Sequence, residues 1–275
     1  MTPTQRFPAF LLFIVAMLVV SPSTRAWDTA GHRAICEIAW DALQPAAERG
    51  VREALRLGSK EAFAALCVHA EITEKDLMIL PAGARGIEYE RDCPEQRSCP
   101  VREIERAVAD LNSGRGDRGE AILRLAHFTG EVHQPLSVGY AADRNGLDIE
   151  ATYLGRPTTM HRLWHSELLA APRPPRPDLD TGFELRLITN FLERPRWAQS
   201  SPIAWATESY WIMRTPATGY VGNPGGLAFD EVYVTQNKVT VLDQIEKAGV
   251  RLGHLLNRTF GDPGESIPGV SPAPN

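Results

Sequence analysis

Cysteine, charge of one sign and long hydrophobic runs are all scarce in this chain, and each scarcity excludes something. Four cysteines in 275 residues are too few for a disulfide-built scaffold. A formal charge of -5, from 29 basic against 34 acidic residues, gives no global field to collect nucleic acid or anionic lipid. A polyanion that binds here must therefore be drawn by a local cation, either a basic patch or a metal. The longest apolar run, Ala9 to Val20, falls short of the roughly 20 residues a membrane span needs. Internal repeats and period-2 alternation are also missing, apart from a short candidate strand pair around Asp148–Leu154. At 43% apolar and 23% charged, what remains is the composition of an ordinary globular chain with one large core.

The first 26 residues read as a segment that leaves. Arg6, the apolar run and the exit Ser-Pro-Ser-Thr-Arg-Ala have the order of a secretory signal peptide, with cleavage expected between Ala26 and Trp27. A retained N-terminal anchor is the alternative. Loss of Arg6 and Arg25 takes the formal charge from -5 to -7. Export implies a secreted or periplasmic protein in an oxidising compartment. There Cys93 and Cys99, bracketing a short polar loop, are the favoured bridge, with Cys36 and Cys67 a candidate second pair.

Apolar spacing of three and four predicts helices through the rest of the chain. Ile35, Ile38, Ala39, Ala42 and Leu43 form one stripe. Phe63, Leu66, Cys67 and Ala70 form another behind a candidate N-cap at Ser59. Ile104, Ala107, Val108 and Leu111 follow, then Ile122, Leu125, Ala126 and Phe128 on a helix that must end near Pro135. The clearest stripe is Val239, Leu242, Ile245, Ala248, Leu252, Leu255 and Leu256. The reading is one all-α domain over residues 27–260, with long loops and at most a short β-hairpin, and a disordered tail over 261–275.

Histidine is sparse too, seven in all, so its placement is informative. His127 and Glu131 are four apart on one predicted helix, as are His161 and His165, so either pair can share an ion. Helices carry such pairs by chance, and a solvated face or a core histidine is the plain alternative. Processing before Trp27 would add a free amine with pKa about 8, which chelates a metal together with its own carbonyl. His32 lies about one helical turn further on. Trp27 reads equally as a buried aromatic anchor.

Five segments carry a resemblance. Trp27-x-x-x-Gly31-His32, His127-Phe-Thr-Gly-Glu131-Val-His133-Gln-Pro-Leu136 and Met160-His161-Arg-Leu-Trp164 resemble the S1/P1 nuclease family. So do Trp205-Ala-x-Glu208-Ser209 and the stretch from Ala248 through Arg251 to Asn257. The resemblance implies a secreted, mostly helical domain of the phospholipase C/P1 nuclease type holding up to three zinc ions. The implied activity is hydrolysis of single-stranded DNA and RNA, and removal of 3′-phosphates, through a metal-activated water. The same kinship leaves open a phospholipase C-like phosphoesterase, or a non-catalytic relative that binds metal or nucleotide. The implied partner is a single-stranded nucleic acid or nucleotide, with no stable membrane association and a monomeric chain.

Carried over residue by residue, the resemblance implies a first site from Trp27, His32 and a shared carboxylate. That carboxylate is Glu131 here, where the family has Asp. The second site takes Glu71, Glu88, His127 and Glu131, with Glu71 as the base that orients and deprotonates water. The third keeps His161, has His165 in place of an acid, and has Ser137 in place of a histidine. Three glutamates, Glu71, Glu88 and Glu131, would suit Mn²⁺ or Mg²⁺ better than the usual pattern does. Tyr89, beside Glu88, is the implied base-stacking residue. His133 is read as a helix-end hydrogen bonder or a substitute ligand.

Overall fold

The structure, a computed structural model, describes residues 27–68, 77–171, 190, 192–220 and 226–261. Residues 1–26, Ala70, Glu71 and residues 262–275, on which the signal-peptide, helix-stripe, catalytic-base and tail expectations fall, lie outside these. Helices dominate, as the apolar spacing predicts. In α1 (Thr29–Asp41), Asp28 caps the N-terminus by accepting the Gly31 N–H at 3.0 Å, and Ile35, Cys36 and Ala39 are buried. Two short helices follow, α2 (Pro45–Leu55) and α3 (Lys60–Leu66), the second capped by Ser59 as expected. A single turn, α4 (Tyr89–Asp92), precedes α5 (Pro100–Ser113), which starts on Pro100 and ends at a left-handed Gly114.

The central element is α6 (Arg118–His133), which touches α1, α2 and α5 and is buried along almost its whole second half. It stops at Gln134 because Pro135 cannot continue it. After the strands, α7 (Met160–Arg162) runs into a π-helical turn (Leu163–Glu167) and a last turn (Leu168–Ala170). Two long helices close the fold, α8 (Pro202–Arg214) and α9 (Glu231–Phe260), both packed on α6. The axes of α1 and α9 approach closely because α9 turns Gly249 and Gly253 toward α1. A Cβ on Gly249 would lie 2.5 Å from Ile38, and one on Gly253 would lie 2.9 Å from the Ala39 carbonyl.

The strands go beyond the single hairpin that the alternation suggests. The expected hairpin forms from β3 (Glu150–Tyr153) and β4 (Arg156–Thr159), and β5 (Leu227–Phe229) adds in parallel on the other side of β3. A separate parallel pair joins β1 (Met78–Leu80) to β2 (Val138–Tyr140). Three-residue strands are too short to show a period, and parallel pairing between distant segments leaves no local trace.

Both disulfides are formed, Cys93–Cys99 and Cys36–Cys67. The second ties α1 to the end of α3, one helical turn from His32. Inside the core, Arg251 of α9 is 1% exposed and clamps three helices. It donates to both oxygens of Glu208 on α8, at 3.0 and 2.7 Å, and to His133 Nε2 on α6 at 2.7 Å. Among the described residues no helix is long and apolar enough to cross a membrane.

Candidate metal centre

Three of the sequence-designated residues meet. His32 comes from α1, and His127 and Glu131 come from adjacent turns of α6. Glu131 Oε1 lies 3.5 Å from His32 Nε2 and 3.6 Å from His127 Nε2. The two imidazoles are stacked, with centroids 5.4 Å apart and planes 12° from parallel. One ligand atom from each residue falls within 4.8 Å of the others, and all three side chains are buried.

The local packing accounts for this meeting. Gly130 precedes Glu131 in mid-helix, where glycine costs about 1 kcal/mol relative to alanine. A Cβ there would stand 2.8 Å from His32 Cε1 and 2.9 Å from Nδ1, so the bare backbone is the seat of the His32 ring. His32 Nε2 is buried with no hydrogen-bond partner. A buried carboxylate facing two imidazole nitrogens is stabilised by a cation, whether a bound ion or a protonated ring. Two imidazoles and one carboxylate are also the donor set of zinc sites that keep an open position. The residues fit a metal ion.

The other designated residues divide. Trp27 is fully buried, its Cβ against Gly31, and the following Asp28 N–H donates to the His165 carbonyl at 3.1 Å. Asp28 is thereby tied to the π-helical turn that carries His165. His161 is buried, and its ring stacks on that of His165 at 5.7 Å. Its Nδ1 lies 3.2 Å from the Asn145 carbonyl. A carbonyl only accepts, so Nδ1 carries the proton and Nε2 presents the lone pair, the arrangement usual in ligating histidines. Asn145 is a residue the sequence reading missed. It is buried in a left-handed turn (φ 59°), and its amide donates to the Leu136 carbonyl at 2.5 Å.

Glu88 does not join the cluster. Its side chain is 71% exposed and salt-bridged to Arg91 at 2.5 Å. Glu71 falls outside the described residues, so the glutamate-rich site is not assembled among them. The donors that meet among the described residues are two imidazole nitrogens and one carboxylate. Tyr89 is engaged elsewhere: it packs on the core, its hydroxyl donates to Glu105, and the Arg102 guanidinium lies 4.9 Å from its ring centroid. His133 is not a substitute ligand. Its Nδ1–H donates to the Thr129 carbonyl at 2.6 Å and its Nε2 accepts from Arg251. Burial first, and the Arg251 charge second, hold its pKa well below the usual imidazole value.

Comparison with known proteins finds a family match and several relatives. The S1/P1 Nuclease family model matches residues 27–261. Endonuclease 1 of Arabidopsis thaliana is 27% identical over 298 residues, covering 95% of this chain and 96% of that protein. Endonuclease 2 of the same plant is 25% identical, over 91% of this chain and 96% of its own length. Nuclease S1 of Aspergillus oryzae is 25% identical over 177 residues, 58% of this chain and 61% of that protein.

Proposed function

Because the chain belongs to the S1/P1 nuclease family, we propose that it is an exported zinc-dependent endonuclease acting on single-stranded DNA and RNA. The same reading includes removal of 3′-phosphates from nucleotides, by a monomer that does not stay on membranes. The observation that carries it is the buried meeting of His32, His127 and Glu131 on two helices of a family-length chain. The family match begins at Trp27, which supports that residue as the processed N-terminus. The two disulfides support an oxidising, extracytoplasmic location.

His32 Nε2, His127 Nε2 and Glu131 Oε1 would hold one ion, with the Trp27 amine and carbonyl as further donors. His161 and His165 would contribute a neighbouring position. Zinc supplies Lewis acidity, which makes water a nucleophile near neutral pH and offsets charge on phosphate oxygens. Glu71 orients the attacking water and takes its proton. The Asn145 carbonyl keeps the His161 proton on Nδ1 and its lone pair on Nε2. An acidic protein gains by this centre the local positive charge that a phosphodiester needs.

The test is hydrolysis by the chain beginning at Trp27, offered single-stranded DNA, RNA, 3′-nucleotides and phosphatidylcholine, each with Zn²⁺ and with Mn²⁺. Cleavage of both nucleic acids with Zn²⁺, lost on chelation, is the expected result. His127→Ala should cost more than the roughly 10–100-fold typical of groups that only support a ligand. Cleavage of phosphatidylcholine alone would transfer the site to lipid chemistry, and no cleavage with any metal would leave a binding protein.

A further inference from the structure

The Glu131 carboxylate divides its two oxygens. Oε1 faces His32 and His127, and Oε2 accepts the Ser137 hydroxyl at 3.2 Å. Glu131 and Ser137 are both fully buried. The position of Ser137 is constructed. It ends the 3₁₀ turn Pro135–Ser137, which Gln134 caps by accepting the backbone N–H groups of Leu136 and Ser137, the latter at 2.9 Å. The Leu136 carbonyl is in turn held by Asn145, so the turn is pinned from both sides.

We propose that Ser137 is a positioning residue of the metal centre, donating to Oε2 so that Glu131 serves a single ion through Oε1 and does not bridge two. A bridging carboxylate offers one oxygen to each cation. A hydroxyl proton on Oε2 takes a lone pair on that oxygen and turns the positive end of its dipole toward any second cation. Among the described residues, His32, His127 and Glu131 form a group whose ligand atoms lie within 4.8 Å of one another. The exchange of a histidine for Ser137 thus supplies a hydrogen bond that orients the carboxylate, and is more than the loss of a ligand. This inference deepens the reading that His32, His127 and Glu131 hold an ion, and it rests on that reading.

The experiment is competition of the metal-free protein with a chromophoric chelator for Zn²⁺, alongside the visible absorption of the Co²⁺-loaded form. Ser137→Ala should weaken the tightest-held ion about 10–100-fold and alter the Co²⁺ bands, while Ser137→Thr stays within roughly threefold of the parent. Ser137→Val, equal in volume to the threonine variant, separates the hydroxyl from packing, and it should bind like the alanine variant. The thermal midpoints of the metal-free threonine and valine variants should agree, which removes folding as the cause. Unchanged tightest affinity in the alanine and valine variants overturns the proposal. So does loss of only a second, weaker ion, because Ser137 would then itself be a ligand. His127→Ala tests the underlying reading separately: if the tightest ion ignores that change, the site is misassigned whatever Ser137 does.

Discussion

Gly130→Ala isolates the geometry of the centre from its chemistry, because it adds one methyl group and no charge. The new Cβ would stand 2.8 Å from His32 Cε1, 2.9 Å from Nδ1 and 3.3 Å from Ile35 Cδ1. Favourable carbon contacts begin near 3.5 Å, so the His32 ring must retreat by about half an ångström or more. Metal–ligand distances tolerate about 0.2 Å, so this displacement exceeds what a bound ion accepts. In the metal-free protein two effects oppose each other. The helix gains about 1 kcal/mol from alanine over glycine, and the overpacked seat costs about 1–3 kcal/mol. The metal-free fold should therefore be between unchanged and about 2 kcal/mol less stable. Zinc affinity should fall at least tenfold, about 1.4 kcal/mol. Chelator competition reads the first quantity and denaturant unfolding of the stripped protein reads the second. Gly58→Ala, whose Cβ would meet nothing within 4 Å, is the matched control. A Gly130→Ala protein that folds and binds zinc like its parent would refute the placement of His32 on the ion.

The disulfides should differ in worth with the loops they close. Replacing Cys36 and Cys67, 31 residues apart, should cost about 3.7 kcal/mol, against about 2.2 kcal/mol for Cys93 and Cys99, 6 apart, by urea unfolding. Arg251→Met leaves His133 without its buried donor and Glu208 with Lys247 alone, and should lower stability in the same assay. Burial opposes ionisation of Glu208, but Arg251 and Lys247 outweigh it and hold that carboxyl below the usual range. Its contribution is therefore complete above the unfolded carboxyl pKa of about 4.5 and is lost as pH falls through the lower folded value. Glu208→Gln should accordingly flatten the acid limb of stability against pH in the metal-free protein, and an unaltered limb would place the dependence elsewhere. One residue added before Trp27 should speed zinc loss to a chelator, whereas unchanged retention would remove the terminus from the ligand set.

What was legible in the sequence follows from what is local. Helices showed themselves because a buried face repeats every three or four residues, and each predicted stripe in the described residues falls on a helix, with Ala42, Leu43 and Cys67 running just past the helix ends. The parallel strands were invisible because Met78 pairs with Val138, and Ala151 with Leu227, across long stretches of intervening chain. Half of the candidate metal centre was local as well. His127 and Glu131 are one helical turn apart, and Gly130 between them carried a readable signal, a glycine in mid-helix that needs a reason. The bond from Ser137 to Glu131 was not readable, since the sequence records only that a histidine is missing there.

Counting charges was the weaker guide, and Glu88 shows why. Glu71, Glu88 and Glu131 together suggested an oxygen-rich cluster. A carboxylate joins a buried centre only if the fold removes it from water and a cation compensates the loss of hydration. Glu131 meets that condition, being fully buried between two imidazoles. Glu88 stays in solvent, where Arg91 three residues away already answers its charge at little desolvation cost. The residue type is the same at both positions, and burial, which a list of residue types does not contain, separates a candidate ligand from a surface ion pair.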